Sequence, residues 1–327
     1  MKTFFKVLAI FALTVVSIAA IAVSWLVLRK PAQRPATAQR IEATPERVAR
    51  GKYLVHHVSD CLGCHSDRTP EFGMPIKAGT EGKGGFVFDK NLGFPGVVAA
   101  QNITSDRETG LGEWSDGEIL RAIREGVDRH GNALFPMMPY AGFRHLSDDD
   151  AYAIVAYIRT LAPVKNSVPA KRIDFPVNLF VKFAPQPVAG PVAAPDRRDT
   201  VAYGHYLTTI GGCFECHTPH DEKNGVIADQ AFSGGWEMKG PWGRNLTANI
   251  TPHADTWVGQ ATKGEFIGRF RAYAAVAESK PVPKGRNTIM PWLAFSGMTD
   301  EDLGAIYDYL KTVRPIRNRV NSFPDAL

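Results

Sequence analysis

The sequence predicts an all-helical protein, with one membrane-spanning helix followed by two tandem domains of the same kind. Three observations predict this. Residues 7–28 form an uncharged apolar run, and about 20 such residues cross a bilayer. The second half of the chain then echoes the first. Finally, each half opens and closes on a helical pattern, and nothing between alternates with period two long enough to make a sheet.

The apolar run is preceded by Lys2 and Lys6 and closed by Arg29 and Lys30. Ala20-Ile21-Ala22 resembles a small-residue cleavage site, but residues 23–28 stay apolar beyond it. That length favours a retained anchor (residues 1–30) over a removed signal. Basic residues lie on both sides, so charge alone leaves the orientation open. Residues 31–44 are rich in Pro, Ala, Gln and Arg without apolar periodicity and read as a tether.

The repeat is specific. Val48-Ala49-Arg50-Gly51-Lys52-Tyr53-Leu54 leads into Cys61, and Val201-Ala202-Tyr203-Gly204-His205-Tyr206-Leu207 leads into Cys213. Cys213 follows Cys61 by 152 residues, and Met290 follows Met138 by the same 152. Between them, Asn102-Ile103-Thr104 pairs with Asn249-Ile250-Thr251 in a register five residues different. Ser147 caps three aspartates and the stripe Ile154, Ile158, Leu161. Thr299 caps Asp300-Glu301-Asp302 and the stripe Ile306, Leu310, Val313. Opening helices are expected over residues 45–58 and 199–210. The domains are therefore read as residues 45–162 and 199–316, with a tail at 317–327. The Pro-rich connector, residues 163–198, holds an apolar piece at 175–183 and is expected to pack across both domains.

The chain has 327 residues, enough for two domains, and a net charge of +5 without a long basic block. That gives no support to nucleic-acid binding. Its four cysteines fall in two pairs, and both pairs run into histidine: Cys61-Leu62-Gly63-Cys64-His65 and Cys213-Phe214-Glu215-Cys216-His217. This is the c-type haem attachment pattern. Two thiols bond to the vinyl groups of one porphyrin, and the next residue offers imidazole to the iron. Two covalently bound haem c groups are expected. A thioredoxin-type pair, a zinc site and disulfides are the competing readings. Two copies, each with a matched methionine downstream, favour haem.

His65 and His217 are the proximal ligands in this reading, and Met138 and Met290 the sixth ligands. A thioether ligand raises the reduction potential. Met137 and Met298 align with Ile289 and Leu146 and read as packing. Met74 is too close to Cys64, and Met238 has no twin. His130 and His145 flank Met138 as alternatives. His56, His57, His205, His220 and His253 read as surface or loop residues. Trp114, Trp236, Trp242 and Trp257 either pack at haem edges or simply fill the core. The Asn-x-Thr triplets at Asn102 and Asn249 read as loop turns rather than glycosylation sites.

The chain resembles the membrane-bound cytochrome c subunits of periplasmic alcohol, gluconate and aldehyde dehydrogenases. Asn102-Ile103-Thr104, Thr109-Gly110-Leu111-Gly112-Glu113-Trp114-Ser115-Asp116-Gly117-Glu118, Met138-Pro139-Tyr140 and the Ser147-Asp148 helix carry the resemblance, which covers about residues 45–315. Members of that group often have three haem motifs, and this chain has two. The resemblance implies tandem class I-like cytochrome c domains. Electrons would come from a periplasmic dehydrogenase and leave to quinone, an oxidase or another cytochrome of the respiratory chain. Haem attachment outside the cytoplasmic membrane places the globular part in the periplasm on a single-pass inner-membrane helix.

Three functions compete: an electron-transfer module, a dihaem redox enzyme (peroxidase-like or a sulfur-compound dehydrogenase), and a haem sensor. A redox enzyme needs an exchangeable iron position. A methionine in both halves argues for electron transfer, and the absence of a signalling domain argues against a sensor.

Overall fold

A computed structural model of the chain describes residues 2–221, 225–240, 242–274 and 287–325. Helix α1 (Lys2–Leu28) is long and apolar enough to cross a membrane, and none of its residues is buried by the rest of the chain. The first half follows with α2 (Pro45–Tyr53), α3 (Cys61–His65), α4 (Asp116–Glu125), α5 (Tyr140–Phe143) and α6 (Asp148–Ile158). The connector holds α7 (Val177–Phe180). The second half has α8 (Thr200–Ile210), α9 (Cys213–His217), α10 (Trp257–Gln260), α11 (Lys263–Ala274), α12 (Trp292–Phe295) and α13 (Asp300–Leu310).

Local chemistry sets the helix ends. The Thr44 hydroxyl accepts from the Arg47 amide, and Pro45 sits where its missing N–H costs nothing. Ser115 and Glu118 close a reciprocal capping box on α4. Ser147 and Thr299 cap α6 and α13 by accepting from Asp150 and Asp302 amides. The expected helix over 45–58 exists, but its last turn, Leu54–Val58, widens to π geometry.

The described residues are mainly helical, as expected, with few strands. Short strands occur: β1 (Val87–Phe88), β2 (Gly96–Ala99), β3 (Arg172–Ile173), β4 (Glu237–Gly240) and β5 (Gly243–Leu246). β2 pairs antiparallel with β1 and, through Gly96 opposite Ile173, with β3 from the connector. β4 and β5 form a hairpin. Strands of two to four residues are too short to show alternation. The β2–β3 pair also joins segments far apart in sequence, which no local pattern reports.

In each half the first helix crosses the last, α2 on α6 and α8 on α13. The contact is closest at a glycine. A Cβ on Gly51 would lie 1.9 Å from the Ala153 carbonyl oxygen, and one on Gly204 1.9 Å from that of Ala305. The buried apolar residues of both halves form one continuous core that includes Leu54, Leu62, Ile154, Leu207, Leu303 and Leu310.

Residues 31–44, read as a tether, lie along α4. Arg34 pairs with the buried Glu125 at 2.6 Å, and the Ile41 amide donates to Asp116 at 2.8 Å. The connector touches both halves. The Asp148 amide donates to Val192, Arg144 reaches Gln186, and Arg197 stacks over the Tyr203 ring.

Candidate haem sites

Each cysteine pair occupies one short helix entered from a left-handed residue. Asp60 (φ 42°) precedes Cys61, and Gly212 (φ 71°) precedes Cys213. The left-handed turn re-aims the chain between the long opening helix and the motif, and glycine adopts it without steric cost. In the first half the aspartate is held instead. Arg68 reaches its carboxylate at 3.3 Å and donates to the Gly63 carbonyl at 2.5 Å. Burial pushes the Asp60 carboxyl up to about 6 against the pull of Arg68.

The histidines are oriented alike. His65 Nδ1 lies 2.6 Å from the Gln101 carbonyl oxygen, and His217 Nδ1 lies 2.7 Å from that of Ala248. A carbonyl can only accept, so Nδ1 carries the proton in both rings and Nε2 keeps its lone pair. Burial also holds both imidazoles below their ordinary range, in the neutral form. A neutral imidazole held by its second nitrogen is the arrangement that metal-ligating histidines use.

The Asn-x-Thr triplets set those carbonyls in place. Asn102 accepts from the amide and hydroxyl of Thr104 and donates to the Val164 carbonyl. Asn249 does the same with Thr251 and Ile316. All four side chains are buried, as expected of loop turns and not of glycan acceptors. The residue before each asparagine, Gln101 or Ala248, is the one that binds histidine. Sequence reasoning missed both positions because they act through a backbone carbonyl, whose side chain carries no signal. The repeat placed the asparagines but not their duty.

The four thiols are free; Cys61 and Cys213 are half-buried, Cys64 and Cys216 exposed. Desolvation pushes Cys61 and Cys213 up to about 12, and Cys64 and Cys216 up to about 11. Thiols so far above neutrality are poor thioredoxin-type nucleophiles, which act as thiolates. No group of three or more His, Cys, Asp or Glu fit to hold a metal ion occurs among the described residues.

Met138 and Met290 each sit in a tight turn that begins a short helix, half-buried against the core. The Tyr140 amide donates to the Met138 carbonyl, and the Trp292 amide to that of Met290. Met298 and Met74 are buried, and Met137 is half-buried. His56 meets the Tyr157 hydroxyl at 2.6 Å, and His57 Nδ1 donates to the Ala294 carbonyl at 3.0 Å. These two histidines are thus packing contacts, not surface residues. His130, His145 and His205 are exposed. Trp114 is half-buried against the core. Trp242 is buried, Trp236 stacks on His220, and Trp257 lies under Arg269 at 4.3 Å.

The two halves pack on one another through elements next to the motifs. The Leu54–Val58 turn of the first half packs on α12 of the second, and α5 of the first packs on α8. Matching tyrosines cross the boundary: the Tyr53 hydroxyl donates to Asp302 and the Tyr206 hydroxyl to Asp150, both at 2.7 Å. Burial, aided by these carboxylates, pushes both phenols well above their ordinary range, so they remain donors.

A cysteine pair on one helical turn, followed by an oriented neutral histidine, is the arrangement that a c-type haem site needs. Residues 48–162 match the family model described as cytochrome c. Along most of its length the chain is similar to cytochrome c subunits of dehydrogenases. The gluconate 2-dehydrogenase cytochrome c subunit of Pantoea cypripedii is 28% identical over 292 residues, 83% of this chain and 60% of that protein. The cytochrome c subunit of the alcohol dehydrogenase (quinone) of Gluconobacter oxydans is 27% identical over 289 residues, 83% of this chain and 56% of that protein. A diheme cytochrome c-type protein of Cereibacter sphaeroides is 27% identical over 271 residues, 78% of this chain and 82% of that protein. The chain thus spans 60% or less of the two dehydrogenase subunits. All three of these relatives are named as cytochromes c or cytochrome c subunits.

Proposed function

We propose that the chain is a dihaem c-type cytochrome that relays single electrons from a periplasmic dehydrogenase toward quinone, an oxidase or another cytochrome. Residues 45–162 and 199–316 each form one haem domain. Cys61, Cys64 and His65 hold the first haem, with Met138 as sixth ligand; Cys213, Cys216 and His217 hold the second, with Met290. Residues 163–198 connect the two, and residues 1–30 anchor them to the inner membrane with the globular part in the periplasm. The single observation that carries this reading is the duplicated Cys-x-x-Cys-His helix with its histidine locked by a backbone carbonyl.

The haem iron supplies the one-electron chemistry when bound. The protein's own residues do the rest. The Gln101 and Ala248 carbonyls hold each imidazole at Nδ1 and leave Nε2 for the iron. The Tyr53–Asp302 and Tyr206–Asp150 bonds fix the distance between the halves. A rigid separation suits electron relay, because no large motion need accompany each transfer.

Two expected results test it. Cys61→Ala/Cys64→Ala and Cys213→Ala/Cys216→Ala variants, matured with the haem-attachment machinery, each carry one covalent haem where the parent carries two. Haem-to-protein ratio by absorbance checks this, and a variant that keeps both haems refutes the assignment of its motif. The chain, tagged and solubilised from native membranes, is expected to bring down a dehydrogenase whose substrate reduces both haems. Isolation alone, with reduction only by quinol or small reductants, replaces the subunit reading with a free-standing carrier.

A further inference from the structure

The connector carries a feature that electron transfer does not use. Outside α1, the exposed large apolar side chains among the described residues are Phe175, Phe180, Phe183, Val201 and Trp257. Three of these five fall within nine residues of connector, at 78%, 57% and 41% exposure. Exposing three phenylalanines together is costly for a soluble surface, and such patches mark contact with something apolar.

Their position says what that is. This segment is fastened to the end of α1. Lys182 Nζ donates to the α1 carbonyls of Val27 at 2.6 Å and Leu26 at 3.3 Å. The Phe183 ring lies 6.2 Å from that of Trp25. The Arg29 guanidinium sits 4.9 Å from the Trp25 centroid and 4.4 Å from that of Phe183. Tryptophan and arginine at the end of an apolar helix mark the membrane–water boundary. Phe183 is therefore held at that level by direct contact, the Phe180 ring lies 6.5 Å from it, and Phe175 precedes them on the same segment. With residues 31–44 laid along α4, slack between helix and globular part is small.

We infer that residues 175–183 are an interfacial element that inserts its phenylalanines into the lipid leaflet beside α1. It rests on reading α1 as a retained anchor. Lys182 and Arg29 suit the headgroup level, where basic residues meet anionic lipid. The element gives the globular part a second point of membrane contact, off the α1 axis. A single helix lets its cargo swivel; two contacts hold both haem domains in one orientation over the bilayer.

The test uses the full chain in nanodiscs of phosphatidylethanolamine and phosphatidylglycerol that contain a phospholipid with a diazirine in its acyl chain. After illumination, lipid-modified peptides are identified by mass spectrometry. Lipid is expected on α1 and on the peptide holding residues 175–183. The variant F175S/F180S/F183S is expected to lose at least fivefold of the second label while retaining α1 labelling and the haem spectrum. Labelling of α1 without residues 175–183 overturns the inference and leaves the anchor intact. Labelling of neither removes the anchor and the inference with it. Cross-linking of the segment to a co-purifying protein instead of lipid also overturns it.

Discussion

Gly51→Ala and Gly204→Ala each destabilise the protein by about 2 kcal/mol, whereas Gly264→Ala does not. The first two glycines stand where one helix crosses another with backbone against backbone. A Cβ on Gly51 meets the Ala153 carbonyl oxygen at 1.9 Å and the Tyr157 Cβ at 2.8 Å. On Gly204 it meets the Ala305 oxygen at 1.9 Å and the Tyr309 Cβ at 2.9 Å. A carbonyl in the middle of a helix cannot swing aside, so the helices must separate. Overpacking of this kind costs about 3 kcal/mol, and alanine's better helix propensity returns about 1 kcal/mol. Gly264 also lies in a helix but has nothing within 4 Å of its Cβ position. Alanine there is expected to be neutral or stabilising by up to about 1 kcal/mol. Urea midpoints of the three haem-loaded variants check the contrast. A Gly51→Ala or Gly204→Ala midpoint at or above the parent's refutes the close crossing at that helix pair.

Asp150→Ala costs about 3 kcal/mol, and its repeat partner Asp302→Ala only about 1 kcal/mol. The two aspartates hold equivalent places in the first turns of α6 and α13, and each accepts a tyrosine hydroxyl from the other half. Their remaining partners differ. Arg50 grips Asp150 through two nitrogens, both at 2.8 Å. The second half has Tyr203 in the place of Arg50, and the other Asp302 oxygen is buried without a partner. Removing Asp150 strands a guanidinium whose side chain is 23% exposed, hence a cost at the low end for a buried pair. Removing Asp302 loses one hydrogen bond and relieves an orphaned oxygen, so the two effects partly cancel. Thermal melts followed by circular dichroism rank the pair, and equal losses contradict the asymmetry. The parent's extra stability from Arg50–Asp150 is also expected to resist moderate salt, because the pair is largely shielded from solvent.

Much of this was legible from the sequence. Cys61, Cys64, His65 and their copies stand out as proposed haem-binding residues because haem attachment needs fixed residue types at fixed local spacing. The capping residues Ser147 and Thr299 and the apolar length of α1 are also local properties, set by backbone hydrogen bonding and by bilayer thickness. The repeat marked Gly51, Gly204, Asn102 and Asn249 as positions of interest without saying why. Only the tertiary structure decided that the glycines admit a crossing carbonyl and that the asparagines support the carbonyls gripping His65 and His217. It also decided that β3 of the connector pairs with β2, that Tyr53 and Tyr206 bind the opposite half, and that Phe175, Phe180 and Phe183 lie exposed beside α1. Each of these joins groups far apart along the chain through a backbone atom or a shape. Such groups carry no residue signature of their own, so nothing short of the folded chain brings them together.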